Sequence, residues 1–405
     1  MTRHPETRHT RRITRRRFLR CMGIIGVAGA ASGVIGYGGC AFPSLSREAA
    51  KPTTSSNATI PSTYTANPSD FTQKIGLPGA PSKIPGSVRV LQDDPRVRFR
   101  GGATRKAAEY PEYVQGTGIT PESISPYFEI EFLYDGRKLE IVEYTQGEWF
   151  TPIFDGVIGP TYKNTPIDAT LRYRLLDFGK ENIGRIRLQL TYYKGLHIEA
   201  GSTIKPVPAP KGPRAIFLGD SYTEGSGGSC YGGYVIYAGI AAGLDAWHSG
   251  VGGTGIVNNG GGLDGKVKFR DRVSTDVISF NPDVVVIAGG INDAGLVHDS
   301  RTLSEYRAEY DLLIEAIKTG LPAAKIVVLG PFSPQTPSSL DPRLVTIRDA
   351  NQAAAKAAGV PFIDVFYFTD ANKSKYISDD NVHPNVAGHE YLGKKLGVDL
   401  VQALR

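Results

Sequence analysis

The chain has 405 residues, more than one hydrophobic core usually organises, so at least two domains are expected. Its 48 glycines and 27 prolines favour a loop-rich protein that contains β structure. The formal net charge of +6 is concentrated in residues 1–20, whose eight arginines and one glutamate carry +7; the remainder carries about −1, which excludes an extended nucleic-acid-binding surface.

Residues 1–40 predict an export signal. Residues 14–20 read TRRRFLR, and residues 22–39 form a weakly apolar stretch with seven glycines and no leucine. This pattern resembles a twin-arginine (Tat) signal, which implies a bacterial protein carried by the Tat translocase to the periplasm or the cell exterior. A basic tail before a transmembrane anchor is the alternative, but the stretch is too poor in apolar residues for a permanent span.

Two cysteines bear on the fate of the exported chain. Residues 37–40 read YGGC and resemble a lipoprotein box, so a lipid anchor at Cys40 stays open. Cys230 is then alone in the folded region and cannot form an intrachain disulfide. We interpret it as a small buried residue rather than a nucleophile.

The middle of the chain predicts a β domain between two linkers. Residues 41–86 are rich in Ser, Thr, Pro and Ala and are predicted to be a linker. From 87 to 204, apolar and polar residues alternate with period two and no helical periodicity appears, which predicts an antiparallel, jelly-roll-like β-sandwich. Residues 205–213 are proline-rich and predict a second, stiff linker.

Residues 214–405 have an α/β pattern. Continuous apolar strands are predicted at 215–218, 283–288, 325–329 and 361–365, and helices at 303–318, 343–358 and 385–404. Strands without polar alternation are expected where both faces of a sheet are covered. The sequence therefore predicts a doubly wound parallel sheet.

Four polar or glycine-rich clusters follow or lie near predicted strands. They are Gly219-Asp220-Ser221, the segments 250–255 (GVGGTG) and 289–293 (GGIND), and the pair Asp380 and His383. The carboxyl ends of parallel strands meet at one edge of a sheet, where ligands usually bind. A serine hydroxyl needs a base to take its proton, and that base needs an orienting carboxylate. We therefore predict Ser221 as nucleophile, His383 as base and Asp380 as its partner.

Taken together and in this order, the clusters resemble the SGNH, or GDSL-type, serine hydrolase family over residues 214–405. Ser221, Gly253, Asn292 and His383 match the four residues that name the family. The resemblance implies a flavodoxin-like sheet and an oxyanion hole. Its donors would be the backbone N–H groups of Ser221 and Gly253 and the side-chain amide of Asn292.

The second cluster departs from the family pattern, so its assignment stays open. The family commonly has asparagine five residues before the oxyanion glycine, where this chain has His248. Gly252 is therefore an alternative to Gly253.

The segment 250–255 also formally fits the G-x-G-x-x-G dinucleotide pattern, but residues 256–262 (IVNNGGG) are a poor start for a helix under a pyrophosphate. No metal-ligand spacing is present either, so neither a cofactor nor a metal is predicted.

Nearby polar residues have structural explanations. Asp220 is expected to cap a helix and Asp293 to cap a loop. His389 is expected to pack within the last helix, whereas His248 and His298 could line the pocket.

The order of the two domains resembles carbohydrate esterases in which a jelly-roll module precedes the hydrolase. The resemblance implies a carboxylic ester hydrolase, an exported serine esterase that removes acetyl groups from a polysaccharide through an acyl-enzyme. Its partner would be an acylated carbohydrate or another small ester. Two alternatives remain: a lipid- or aryl-ester hydrolase of the same family, and a non-catalytic glycan-binding protein.

Overall fold

A computed structural model describes residues 72–77, 81–106, 114–117, 128–144 and 149–405, with gaps at 151, 155–156, 160–161, 164–170, 180, 182–183, 191, 229–232, 335–339 and 367–372. The predicted export signal, Cys40 and Cys230 lie outside the described residues. The described residues from 72 onward belong to one compact unit. None of the helices in these ranges is long and apolar enough to cross a membrane.

The first region consists of short strands: β1 (Thr72–Ile75), β2 (Val88–Leu91), β3 (Arg98–Arg100), β4 (Ala103–Lys106), β5 (Val114–Thr117), β6 (Phe128–Tyr134), β7 (Lys138–Tyr144), β8 (Trp149–Phe150), β9 (Pro152–Phe154), β10 (Val157–Ile158), β11 (Tyr162–Lys163), β12 (Leu171–Asp177), β13 (Gly184–Leu190), β14 (Tyr192–Tyr193), β15 (Gly195–Ile198) and β16 (Ile204–Lys205). One antiparallel sheet has the order β1-β12-β7-β15-β2 and a second has the order β10-β9-β13-β6-β16, with β3 also pairing with β6.

The two sheets share one apolar core, which confirms the predicted β-sandwich. Ile141 and Leu196 from the first sheet and Ile130 and Leu188 from the second belong to the same buried cluster. The linker prediction for residues 41–86 is wrong at Thr72–Ile75, because this strand pairs along β12. Its sequence, TQKI, is too short and too polar for a periodic signal, and its partner lies about a hundred residues further along the chain.

The second region has the predicted α/β pattern: β17 (Arg214–Gly219), α1 (Ser221–Glu224), α2 (Tyr234–Ala242), β18 (Asp245–Gly250), α3 (Phe269–Asp276), β19 (Val284–Ala288), α4 (Ser300–Gly320), β20 (Lys325–Leu329), α5 (Pro342–Ala358), β21 (Phe362–Ile363), α6 (Lys373–Tyr376) and α7 (Val386–Ala403), with 3-10 helices at Gly260–Gly265, Ile278–Phe280 and Ile291–Asp293. All strands in its five-stranded sheet run parallel, in the order β18-β17-β19-β20-β21.

This strand order is flavodoxin-like, as the resemblance implied. Successive residues of β17 enter different cores: Ile216 and Leu218 pack in one apolar cluster, and Ala215 and Phe217 pack in another. Both faces of the sheet are therefore covered, which explains the continuous apolar strands.

A buried ion pair joins the sandwich to the α/β region. Arg100 of β3 donates from Nη2 to Asp245 Oδ1 of β18 at 2.5 Å, and both side chains are about 5% exposed. The guanidinium also lies near Glu129 and Glu131 of β6. Removing one member of this buried charge network would leave its partners less well paired and would lower the stability of the fold.

Candidate active site

Ser221 begins α1 directly after β17, at the carboxyl edge of the parallel sheet. The Asp220 carboxylate caps this helix by accepting the Tyr222 N–H at 3.0 Å, which confirms the helix-cap prediction for Asp220. A Cβ atom at Gly219 would lie 2.0 Å from Thr223 Oγ1, so only glycine allows the strand to turn this tightly into the helix. The local sequence thereby presents the Ser221 hydroxyl at the sheet edge.

The structure brings the predicted Ser221, His383 and Asp380 together in one hydrogen-bonded chain. His383 Nε2 lies 2.8 Å from Ser221 Oγ, and His383 Nδ1 lies 2.6 Å from Asp380 Oδ2. The other oxygen, Asp380 Oδ1, accepts the backbone N–H groups of Val382 and His383 at 2.8 and 2.9 Å. This geometry allows the imidazole to take the serine proton while the carboxylate holds the opposite nitrogen protonated.

The hydrogen bonds around Asp380 also set its charge. Partial burial alone would raise the pKa of Asp380, but the His383 ring, the backbone N–H groups of His383 and Val382, and the Ser378 hydroxyl donate to the carboxylate. Together they hold the pKa of Asp380 well below its usual range. The carboxylate is therefore ionised at neutral pH and would stabilise a protonated imidazole.

Tyr222, the residue after the nucleophile, contacts the segment that carries the base. Its hydroxyl donates to the Val382 carbonyl at 2.5 Å, and its side chain is 1% exposed. The ring stacks on Phe332, with centroids 5.0 Å apart, and lies 5.7 Å from the His383 ring. Sequence reasoning missed this contact, since a backbone carbonyl as partner leaves no signal in the residue types.

The backbone contacts around the glycine segment favour Gly253 over Gly252 as the oxyanion donor. A Cβ atom at Gly252 would lie 3.5 Å from Ser221 Cβ, so this segment runs beside the nucleophile. A Cβ atom at Gly252 would also lie 2.6 Å from Glu224 Oε2, so that carboxyl group lies beside Gly252, whose backbone N–H lowers its pKa. The Gly253 N–H meets no acceptor among the described residues, and Gly253 has a φ of +81°. The oxyanion role of Gly253 stays a prediction.

The other two predicted oxyanion donors, Ser221 and Asn292, also have an N–H group available to donate. As the first residue of α1, Ser221 has a backbone N–H with no partner inside the helix. Asn292 donates from Nδ2 to the Thr254 carbonyl at 2.9 Å, and an amide nitrogen carries two N–H donors. The side chain is thus tied to the glycine segment with one donor left.

Comparisons with known proteins identify the family of the α/β region. A sequence profile of the GDSL-like lipase/acylhydrolase family matches residues 217–391. An acetylxylan esterase of Geobacillus stearothermophilus is 30% identical over 205 residues, which are 45% of this chain and 91% of that protein. The chain belongs to the GDSL-like lipase/acylhydrolase family.

Two further proteins show how far the likeness to this family extends. A GDSL lipase of Mycobacterium tuberculosis is 29% identical over 232 residues, or 51% of this chain and 94% of that protein. The structure of a family two carbohydrate esterase from Cellvibrio japonicus covers 79% of this chain and 98% of its own, with a TM-score of 0.57 and 16% identity. That span exceeds residues 214–405, so the shared fold takes in sandwich strands as well. Family membership confirms the predicted carboxylic ester hydrolase.

Three other acidic residues at this edge of the sheet are buried or half-buried, and burial raises their pKa values. It raises the pKa of Asp220 and of Glu224 to about 7 each. Asp293 shifts in the same direction, and its carboxylate accepts the backbone N–H groups of residues 256–258 at 2.9–3.0 Å. The loop-cap prediction for Asp293 is thus confirmed. Sequence reasoning did not single out Glu224.

His389 packs inside the fold, as predicted. Its Nδ1 accepts the Tyr234 N–H at 3.2 Å, and its Nε2 lies 3.0 Å from the Ser226 carbonyl oxygen, to which it donates. Burial lowers the pKa of His389 to about 4, so the ring stays neutral near pH 7.

The hypothesis that His248 and His298 line the pocket is wrong for His248. The His248 N–H donates to the Gly101 carbonyl of the sandwich at 3.0 Å, and its buried side chain borders a small cavity together with Glu129. His298 lies before α4 with its side chain 63% exposed.

The glycine segment does not open a helix, as a dinucleotide site would require. The Gly255 N–H donates to the Asn258 carbonyl at 2.8 Å, and a 3-10 helix begins only at Gly260. In the described ranges, no three His, Cys, Asp or Glu side chains are grouped closely enough to hold a metal ion.

Proposed function

We propose that this chain is an exported serine esterase that removes acetyl groups from a polysaccharide, with Ser221 as nucleophile. The observation that carries the proposal is the hydrogen-bonded chain Ser221–His383–Asp380 at the carboxyl edge of the sheet. Membership of a lipase/acylhydrolase family supports hydrolysis of an acyl ester.

In the first half-reaction, Ser221 Oγ attacks the ester carbonyl carbon while His383 Nε2 takes the hydroxyl proton. The carbonyl π electrons move to oxygen and form an oxyanion, for which the N–H groups of Ser221, Gly253 and Asn292 are the proposed donors. When the tetrahedral intermediate collapses, the alcohol oxygen leaves with the proton from His383. Asp380 stays ionised and stabilises the transient imidazolium.

In the second half-reaction, a water molecule takes the place of the alcohol. His383 Nε2 removes a proton from the water as its oxygen attacks the acyl carbonyl, and the same oxyanion donors act again. Collapse returns the proton to Ser221 Oγ, so the products are a carboxylic acid and free enzyme. The mechanism needs no group beyond these residues and water.

The choice of substrate rests on relatives. The Geobacillus protein is named an acetylxylan esterase, and the family two carbohydrate esterase from Cellvibrio japonicus has the same fold over most of this chain. An acetylated xylan or a similar glycan is therefore the proposed partner. The Mycobacterium relative is named a lipase, which makes longer acyl chains the competing substrate class.

The test compares wild type with Ser221→Ala on p-nitrophenyl acetate, p-nitrophenyl octanoate and acetylated xylan. The matched control is Ser304→Ala on α4, whose exposed hydroxyl donates to the Ser300 carbonyl at 2.9 Å. We expect Ser221→Ala to lower kcat/KM by roughly 10⁴-fold or more and the control to match wild type. Equal acetate release by both variants would refute the serine mechanism. A preference for octanoate would overturn the deacetylase proposal, and glycan binding without cleavage by wild type would favour a binding module.

The export proposal rests on residues 14–20 and is tested separately. Arg15→Lys together with Arg16→Lys should retain the protein inside a Tat-competent bacterium, whereas the wild type appears outside the inner membrane. Metabolic labelling with a fatty acid, compared between wild type and Cys40→Ala, decides whether Cys40 is acylated. Unchanged export of the double variant would exclude the twin-arginine route.

A further inference from the structure

Lys266 contacts the backbone of the glycine segment beside the nucleophile. Its ammonium group donates to the Gly252 carbonyl oxygen at 2.8 Å, and the side chain is half-buried. A Cβ atom at Gly260 would lie 2.8 Å from Lys266 Cδ, so the alkyl chain runs closely under that residue. Gly260 also has a φ of +70°, so a larger residue is disfavoured there both by the backbone conformation and by the close approach of Lys266. The lysine is thus held in place along its length.

The carbonyl that Lys266 binds belongs to the same peptide unit as the Gly253 N–H. In a planar trans peptide the C=O and N–H bonds point in opposite directions. A cation fixed on the carbonyl oxygen of Gly252 therefore directs the Gly253 N–H away from the lysine. That N–H meets no acceptor among the described residues, and the segment runs beside Ser221.

The hydrogen bond from Lys266 to this peptide has two effects on an oxyanion that forms at Ser221. The peptide is held in one orientation before the reaction, so no reorganisation is needed when the oxyanion forms. A charge-assisted hydrogen bond on the carbonyl also polarises the peptide and strengthens its N–H as a donor. The Glu224 carboxyl group also lies beside this residue, since a Cβ atom at Gly252 would lie 2.6 Å from Glu224 Oε2. Gly252 is thus confined by two charged side chains.

We propose that Lys266 is a positioning residue that fixes and polarises the Gly252–Gly253 peptide, so that the Gly253 N–H donates to the oxyanion formed at Ser221. This inference rests on the proposed function, since it presupposes acyl transfer at Ser221. Lys266 does not itself touch the reacting atoms and acts through the peptide.

The test variant is Lys266→Met, which keeps the alkyl chain and removes the charged donor. Lys268→Met is the matched control, because Lys268 lies two residues away and forms an ion pair with Glu309 at 2.9 Å. We expect Lys266→Met to lower kcat on p-nitrophenyl acetate by about 10–100-fold, less than the loss of a whole oxyanion donor, with KM changed by less than about threefold. Lys266→Arg should recover part of the rate.

A second readout separates positioning from folding. Phenylboronic acid forms a tetrahedral adduct with an active-site serine and offers an oxygen to the oxyanion donors, so Lys266→Met should weaken its inhibition by about the same factor as kcat. The proposal is overturned if Lys266→Met and Lys268→Met have equal kcat and equal inhibition. If Lys266→Met does not fold, Lys266→Gln takes its place with the same expectations. Activity that persists in Ser221→Ala would refute the proposed function instead, whatever the lysine variants show.

Discussion

Tyr222→Phe tests whether the residue after the nucleophile also holds the base in place. The substitution removes only the hydroxyl that donates to the Val382 carbonyl at 2.5 Å and keeps the ring that stacks on Phe332. A buried acceptor that loses its donor costs about 1–3 kcal/mol. Because Val382 precedes His383, part of this cost should appear as displacement of the base. A loss of about 1.4 kcal/mol in transition-state stabilisation lowers kcat tenfold.

Tyr234→Phe is the matched control for this experiment. Tyr234 is also fully buried, also packs on Phe332, with ring centroids 4.9 Å apart, and also loses one hydrogen bond, 2.9 Å from Thr223 Oγ1. Both variants should unfold in urea with free energies about 1–2 kcal/mol below wild type. Only Tyr222→Phe should lower kcat on p-nitrophenyl acetate, by about tenfold with little change in KM. Equal stability losses with wild-type kcat in both would show that Tyr222 only packs.

The remaining predictions concern charged groups. Asp380→Asn should lower kcat by roughly 10²–10⁴-fold. Because hydrogen bonds from His383 and its neighbours hold the pKa of Asp380 low, this group contributes to the stability that the wild type loses as pH falls below about 4. Urea unfolding of the variant should therefore show a smaller loss of stability over that range. Burial raises the pKa of Glu224 from 4.5 to about 7, so its contribution to stability is fully present below about pH 4.5 and is lost as pH rises through 7. The free energy of unfolding in urea should therefore fall less between pH 5 and pH 8 in Glu224→Gln than in the wild type. Asp245→Asn removes the 2.5 Å partner of the buried Arg100 and leaves Glu129 and Glu131 beside it, so the free energy of unfolding should fall by about 1–3 kcal/mol. Adding Arg100→Met should partly reverse this loss in thermal melts.

The parts of the fold that could be predicted from the sequence are those with a strong local pattern. β19 (Val284–Ala288) is buried along its whole length, so its apolar run has one simple explanation. The long helices α4 and α5 begin at aspartate caps and extend close to the predicted limits. Thr72–Ile75 could not be found in this way, since its strand conformation depends on pairing with β12 rather than on its own residues.

The residues of the candidate site likewise fall into those with a local sequence pattern and those without one. Ser221 and His383 could be predicted because each lies in a short polar or glycine-rich cluster at or near a predicted strand end, and four such clusters occur in the order of the family. Tyr222 and Lys266 could not, because each acts on a backbone carbonyl, and every residue carries one. Which carbonyl a side chain reaches is decided by the three-dimensional path of the chain, here across 160 positions for Tyr222 and Val382.

The acidic residues show why residue type alone does not identify the catalytic partner. Four acidic residues lie at the same edge of the sheet: Asp220, Glu224, Asp293 and Asp380. By residue type alone, each could orient a histidine. Burial raises the pKa values of the first three, which favours their neutral forms. Asp380 has a side chain that is 47% exposed, accepts several hydrogen bonds and has a lowered pKa. A carboxylate that must stabilise an imidazolium has to remain charged, and of these four only Asp380 combines that charge with contact to His383.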